Sequence, residues 1–358
     1  MERKLMGVSA LIVMVVSIAL SFLLIYVPNM HIIALKIRDK EMEGGRVSIM
    51  EMLLDENQLS EEVNQDEVVD ILMGHEMRLS LPSNVSTRDV SIKNDYVNRT
   101  ISVTIKGIGK DYFNQYPMRG LSNNIMDITY GSENLVGVID IVLDDVKELK
   151  MEENGPYLYF DFIDPKDVYD YVVVVDAGHG GNVPGASKMG INEKDLNLDI
   201  VLELKKLLDK NDKNIGVYYT RTRDVNPSFE NRVGLANDSD ADLFLSVHNN
   251  STASGRMSSI SGAEVMYRGG DESGESKKFS QMCLDNLLSA LGAKSKGLVV
   301  GDEVYIIRTS QVPVALVEVG FMTNQTELQN LSDKTYQKKA AQALYDSIIE
   351  YLNTREMQ

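Results

Sequence analysis

The stretch Tyr171-Val-Val-Val-Val-Asp-Ala-Gly-His-Gly-Gly181 decides the fold class. Its opening apolar run is the pattern of a strand covered on both faces. The run discharges into a glycine-rich turn, where backbone crowding is low and a histidine can be presented. Downstream the theme repeats. Leu196, Ile200, Leu204 and Leu207 recur at helical spacing and predict an amphipathic helix. Further strands are expected at 215–220, 243–247, 263–267 and 314–319, with helices at 275–291 and 336–352. Strands and helices alternating at these lengths describe an α/β domain, with a mostly parallel sheet and helices on both faces. It is assigned to residues 169–355.

Upstream the pattern changes to period two. Ile101-Ser-Val-Thr-Ile105, Val138-Ile-Asp-Ile-Val-Leu143 and Tyr157-Leu-Tyr-Phe-Asp-Phe162 are strand-like, the last following an Asn154-Gly155 turn signal. Residues 79–168 are therefore expected to form a small all-β domain, a sandwich or curled sheet. It has no histidine and no acids clustered at metal-ligand spacing, so a binding or positioning role is expected of it. Residues 29–78 read as an acidic spacer: between 39 and 76 there are twelve acids against Lys40 and Arg46.

Residues 1–28 read as a short cytoplasmic tip and one transmembrane anchor. No charge interrupts the 22 residues from Met6 to Val27. At the helical rise they reach about 33 Å, enough for the hydrocarbon core. A cleavable signal peptide would have an apolar region of about 7–15 residues and a small-residue cleavage site; neither is present. Arg3 and Lys4 precede the segment and Lys36, Arg38 and Lys40 follow it, so charge leaves its orientation open.

A formal net charge of −17 argues against nucleic acid, since phosphate binding needs a basic face. The single cysteine, Cys283, excludes an intrachain disulfide and a cysteine-based zinc site. It lies among Phe279, Met282, Leu287 and Leu291 and reads as a buried small hydrophobe.

In open α/β sheets, ligands sit beyond the carboxyl ends of the strands. Those ends carry His179, then His248 in Ser246-Val-His-Asn-Asn250, then Glu318 in Val317-Glu-Val-Gly-Phe321. Glu193 lies where the first helix begins. Two imidazoles and one carboxylate can make a three-ligand zinc site with an open position. A further carboxylate, Glu318, could then carry protons. Each residue also has a plainer role. His179 could be a turn histidine, His248 a core residue, and Glu193 a helix N-terminal acid favoured by the dipole. Glu318 in an apolar strand is costly to bury unless paired or functional. The long spacings match no local zinc motif, so the residues alone leave both readings open. His31, beside the apolar segment, and His75, in the acidic stretch, are set aside.

Ordered phrases then point to a family. They are Val175-Asp-Ala-Gly-His-Gly-Gly181, Glu193-Lys-Asp-Leu-Asn-Leu198, Thr220-Arg-Thr-Arg-Asp224, Arg232 with Ala236-Asn237, Ser246-Val-His-Asn-Asn250 and Val317-Glu-Val-Gly-Phe-Met-Thr-Asn324. Together, from about Val172 to Leu352, they closely resemble the zinc-dependent N-acetylmuramoyl-L-alanine amidases of the amidase type 3 family. The resemblance implies one Zn²⁺ held by His179, Glu193 and His248, with Glu318 as catalytic acid/base. The implied substrate is peptidoglycan, cut at the amide between the muramic acid lactyl group and the first L-alanine of the stem peptide. That chemistry places the catalytic domain on the extracytoplasmic side, facing the cell wall.

The β-rich domain weakly resembles the module that often precedes such amidases and holds them on the wall. Arg221 and Arg232 are expected to orient the loop and helix through carboxylate pairing rather than to clamp substrate. Partner-activated members carry a long inserted helix over the zinc; here residues 251–261 are short and rich in Ser and Gly, which implies an open groove. Two rival functions remain at this stage: a catalytically silent wall-binding protein, and a zinc peptidase acting on another peptidoglycan peptide bond.

Overall fold

The computed structural model describes residues 74–356. The expected transmembrane anchor and the acidic spacer up to residue 73 lie outside the described residues. Among the described residues no helix is long and apolar enough to cross a membrane. The chain divides into two compact units between Ile163 and Asp164.

The first unit holds β1 (Met77–Ser80), β2 (Val90–Asp95), β3 (Thr100–Lys106), α1 (Lys110–Gln115), β4 (Arg119–Gly120), β5 (Ile125–Glu133), β6 (Val136–Leu143), β7 (Glu148–Asn154) and β8 (Tyr157–Ile163). They form two four-stranded antiparallel sheets, ordered β4-β1-β8-β7 and β2-β3-β6-β5. Alternation explains the core. Ile101, Val103 and Ile105 of β3, Ile139 and Ile141 of β6, and Leu158 and Phe160 of β8 are wholly buried in one cluster. Asn134 and Leu135, both at positive φ, make the two-residue turn between β5 and β6. The spacer was expected to run to 78, but β1 already begins at Met77. His75 is part of this ordered start: its Nδ1 lies 3.0 Å from Asp161 and its ring packs against Tyr159.

The second unit runs α2 (Pro165–Val168), β9 (Tyr171–Ala177), β10 (Ser187–Lys188), β11 (Ile191–Asn192), α3 (Glu193–Leu208), β12 (Ile215–Tyr219), α4 (Phe229–Asp238), β13 (Leu243–Asn250), β14 (Ala263–Tyr267), α5 (Glu275–Leu291), β15 (Ser295–Val300), α6 (Tyr305–Arg308), β16 (Val314–Phe321), α7 (Gln325–Leu331) and α8 (Lys334–Glu356). Its six-stranded sheet has the order β12-β9-β13-β16-β14-β15. The sheet is mostly parallel, as expected, with one antiparallel pairing. β12, β9, β13 and β16 are parallel, whereas β14 runs antiparallel to β16 and β15 follows β14. The reason is in the connections. Residues 251–262 between β13 and β14 contain no crossover helix, so the chain returns at the same end with its direction reversed. Between β14 and β15, α5 supplies the crossover and the direction is kept.

One face of this sheet is sealed by α3, α5 and α8. Ile200, Leu204, Phe279, Leu287, Leu344, Ile348 and Tyr351 join Val173, Val175, Leu245, Val265 and Val317 in one buried cluster. Cys283 is fully buried within it, and burial pushes its thiol up. The alternate residues Val172, Val174, Phe244, Val314 and Leu316 are also buried, outside that cluster, as are Val233 and Leu235 of α4 and Ile306 and Ile307 of α6. The site residues lie at the end of the sheet where β9, β13 and β16 finish.

Candidate active site

β9 ends in Asp176 and Ala177, and the chain then turns through Gly178 to Gly181. His179 sits in this turn at φ 61°, the left-handed region that costs a residue with a Cβ. The flanking glycines have steric causes. A Cβ on Gly178 would lie 2.2 Å from the His248 ring, and one on Gly180 would lie 2.0 Å from the Val225 carbonyl.

Two buried arginines hold the turn. Arg232 pairs with the Asp176 carboxylate and donates to the carbonyls of Ala177 at 2.9 Å and His179 at 2.7 Å. Arg221 donates to Ala177 at 2.7 Å, Gly178 at 2.9 Å and Lys194 at 2.8 Å. At 3% and 2% exposure, Arg221 and Arg232 are closed to substrate, so both are positioning residues. Of the two, Arg232 uses a side-chain carboxylate, whereas Arg221 bonds backbone carbonyls. Asp224, the acid of the same phrase, instead accepts from Lys194 at 2.6 Å and from the Gly181 N–H at 2.7 Å. Burial alone would raise the Asp176 carboxyl, but Arg232, Ser246 and Thr220 outweigh it and hold the group below its usual range.

Glu193 opens α3. Its Oε2 accepts the Ala186 N–H at 2.9 Å, and its N–H donates to the Ala186 carbonyl at 2.8 Å, which fixes the helix start. Its Oε1 lies 3.1 Å from His179 Nε2 and 2.9 Å from His248 Nδ1. His248 stands near the end of β13, in register with Glu318 on β16. The structure thus brings His179, Glu193 and His248 together, with one donor atom of each within 4.8 Å of the others. Burial would raise the Glu193 carboxyl, yet the hydrogen bonds from His179 and His248 hold it far below the ordinary carboxylate range.

The group fits zinc. Two imidazole nitrogens and one carboxylate oxygen from three separate elements are a donor set zinc accepts, with a fourth position left over. The space is protected by missing side chains: a Cβ on Gly185 would meet Glu193 Oε2 at 2.5 Å and His179 at 2.6 Å.

Glu318 stays outside that group. Its Oε2 is sealed from solvent and has no hydrogen-bond partner among the described residues. Burial first, then the nearby charges of Glu193 and Glu264, raise its carboxyl well above the ordinary value.

Three supporting residues escaped the sequence reading. Asn197, one helical turn beyond Glu193, donates to the Gly178 carbonyl at 3.1 Å and accepts from Asn249 at 2.7 Å. Its signal was an amide amid the apolar face of Leu196 and Ile200. Lys194 ties Gly181 to Asp224. Glu264 on β14 was marked only by being an acid inside an apolar strand.

Residues 173–350 match the family model described as N-acetylmuramoyl-L-alanine amidase. The chain is 35% identical over 179 residues to the uncharacterized protein YqiI of Bacillus subtilis (strain 168), covering 50% of this chain and 84% of that one. It is 34% identical over 179 residues to the N-acetylmuramoyl-L-alanine amidase LytC of the same organism, covering 50% of this chain but only 35% of LytC. An endolysin of Bacillus phage SPP1 is 31% identical over 189 residues, covering 52% of this chain and 67% of the endolysin. Among solved structures, the N-acetylmuramoyl-L-alanine amidase of Clostridium difficile 630 aligns with a TM-score of 0.48 and 34% identity, covering 51% of this chain and 97% of that one.

Proposed function

Because the chain belongs to the N-acetylmuramoyl-L-alanine amidase family, we propose that it is a peptidoglycan hydrolase that uses one zinc ion, held by His179, Glu193 and His248, to cut the stem peptide from the glycan. The bond cut joins the lactyl carbonyl of N-acetylmuramic acid to the nitrogen of the first L-alanine. The observation that carries the reading is the convergence of those three side chains beside an unpartnered carboxylate, Glu318.

A zinc ion at this position would supply Lewis-acid polarisation of the scissile carbonyl and make water acidic enough to attack near neutral pH. The chain does the rest. Arg221, Arg232 and Asn197 hold the backbone around His179, so the imidazole is presented without reorganisation during the reaction. Glu318 accepts a proton from the attacking water and delivers it to the departing nitrogen. A carboxyl whose affinity for protons is raised by burial is matched to both halves of that task.

The proposal extends to location. The uncharged stretch Met6–Val27 serves as a membrane anchor, and the catalytic unit lies on the extracytoplasmic side, where the polymer is. Protease added to intact wall-stripped cells should then degrade the catalytic unit; protection until lysis would overturn the placement.

The activity is tested by digesting purified sacculi with the full-length protein in detergent and zinc. Mass spectrometry should find intact stem peptides beginning with a free L-alanine amine, and glycan retaining its lactyl carboxylate. Fragments cut within the peptide, or no release at all, would overturn the reading.

A further inference from the structure

The antiparallel pairing of β14 with β16 sets Glu264 directly opposite Glu318. Opposed residues in such a pair share a face with Cβ atoms about 4.5–5.5 Å apart, and like charges placed there destabilise the sheet. Among the described residues neither carboxylate forms an ion pair with Lys, Arg or His. Glu264 is half-buried, and its one hydrogen bond among those residues is from Asn250 Nδ2 to Oε1 at 3.3 Å. Among the described residues the second oxygen, Oε2, has no hydrogen-bond partner. Glu264 stands in a strand whose neighbours Ala263 and Val265 are wholly buried.

Amide hydrolysis creates a cation on the leaving nitrogen. Water adds its oxygen to the carbonyl carbon, Glu318 takes one proton from it and passes it to nitrogen as the C–N bond breaks, and the water's second proton leaves the new carboxylic acid and is taken up by the amine. The products are a carboxylate and an α-amine, and an α-amine with a pKa near about 8 is largely an ammonium at neutral pH. Positive charge therefore develops on the alanine nitrogen in the transition state and persists in the product. A fixed anion beside that atom stabilises the transition state more than the neutral amide, which is the condition for raising turnover.

We propose that Glu264 is a second catalytic carboxylate, accepting an N–H from the leaving nitrogen and stabilising the ammonium it becomes. Asn250 holds one of its oxygens in place while the other meets the substrate. The inference rests on the amidase reading, because that reading supplies the nitrogen.

The test compares full-length wild type with Glu264→Gln and Glu264→Asp. Glu264→Gln keeps the size of the side chain and can keep the Asn250 contact, but loses the charge. On soluble muropeptide its kcat should fall about 10–100-fold, with KM changed by less than about twofold. Calorimetry of the released stem peptide, bearing its free α-amine, should show at least about tenfold weaker binding to Glu264→Gln. The N-acetylated peptide should bind both proteins alike. Glu264→Asp, which retains the charge, should recover most of the lost affinity and checks against a variant that merely folds poorly.

Wild-type kcat in Glu264→Gln, or equal loss of binding for both peptides, would overturn the proposal. Failure of the wild type to release stem peptides would instead sink the amidase reading. The calorimetry stands apart from turnover, so the two failures are distinguishable.

Discussion

Arg232 donates a hydrogen bond to the carbonyl oxygen of His179 at 2.7 Å, while the same guanidinium is paired with the buried Asp176. A side chain that never reaches the substrate thereby holds a residue in left-handed backbone geometry. The cost of that geometry, about 1–2 kcal/mol, is carried by a network of Arg221, Arg232, Asn197 and Asp176. Replacing Arg232 by Lys keeps the charge and loses the planar fork. Zinc affinity and kcat/KM should each fall about 10–100-fold. Competition with a zinc chelator and steady-state kinetics check this, and an Arg232→Lys protein with wild-type zinc affinity would contradict it.

Gly178 gives a steric prediction. Its absent side chain makes room for the His248 ring, which a Cβ would approach at 2.2 Å. In Gly178→Ala that ring must move by more than an ångström, and one ligand leaves the group. Activity should be lost, and zinc should be lost with it. Retention of stoichiometric zinc in a folded Gly178→Ala protein would show that the ring tolerates displacement.

Glu318 predicts opposite effects on activity and stability. Its folded carboxyl is raised by burial and by the neighbouring anions, so ionising it costs stability once pH exceeds the unfolded value of about 4.3. In metal-free protein, Glu318→Gln should melt higher than wild type at neutral pH, with the gap closing as pH falls towards that value. The zinc-loaded variant should lose about 100-fold or more in kcat. In the wild type, kcat/KM should fall on acidification through a pKa above the ordinary carboxylate range. Melting curves and a pH–rate profile test both parts.

Asp271 offers a check remote from the chemistry. Its Oδ2 accepts the Ser276 N–H at 2.7 Å and caps the start of α5. Burial would raise its carboxyl, but hydrogen bonds from Ser273 and Ser276 lower it to about 2. The folded value is depressed, so its contribution is present above the unfolded value of about 3.9 and lost as pH falls towards about 2. Asp271→Ala should cost about 1 kcal/mol at neutral pH and progressively less below pH about 4. A difference independent of pH would rule out the capping carboxylate as its cause.

Much of this architecture was legible because burial writes itself into periodicity. The valines of β9, the leucines of α3 and the apolar run of β16 each announce an element with little competition from local chemistry. The bounds moved where polar residues extend an element: β13 continues through His248 to Asn250 because its last residues keep the ladder with β16. β15 was missed, since Ser295-Lys-Gly-Leu-Val-Val300 is an exposed edge with little to bury on its outer side. The reversal at β14 was missed because strand direction is set by the connection, not by the strand. At the site, histidines and acids stand out by their chemistry. The arginines work through backbone carbonyls, and a carbonyl has no letter in the sequence. Glu264 shows the same limit, because its meaning comes from register with Glu318 and not from its neighbours along the chain.

The most direct measurement of the central claim is metal content by elemental analysis on four purified proteins: wild type, His179→Ala, Glu193→Ala and His248→Ala. The account predicts one zinc per wild-type chain, far less in each variant with its fold retained, and stem-peptide release from sacculi only where zinc is present. Wild-type protein that releases stem peptides without bound metal, or variants that hold zinc as fully as wild type, would contradict it.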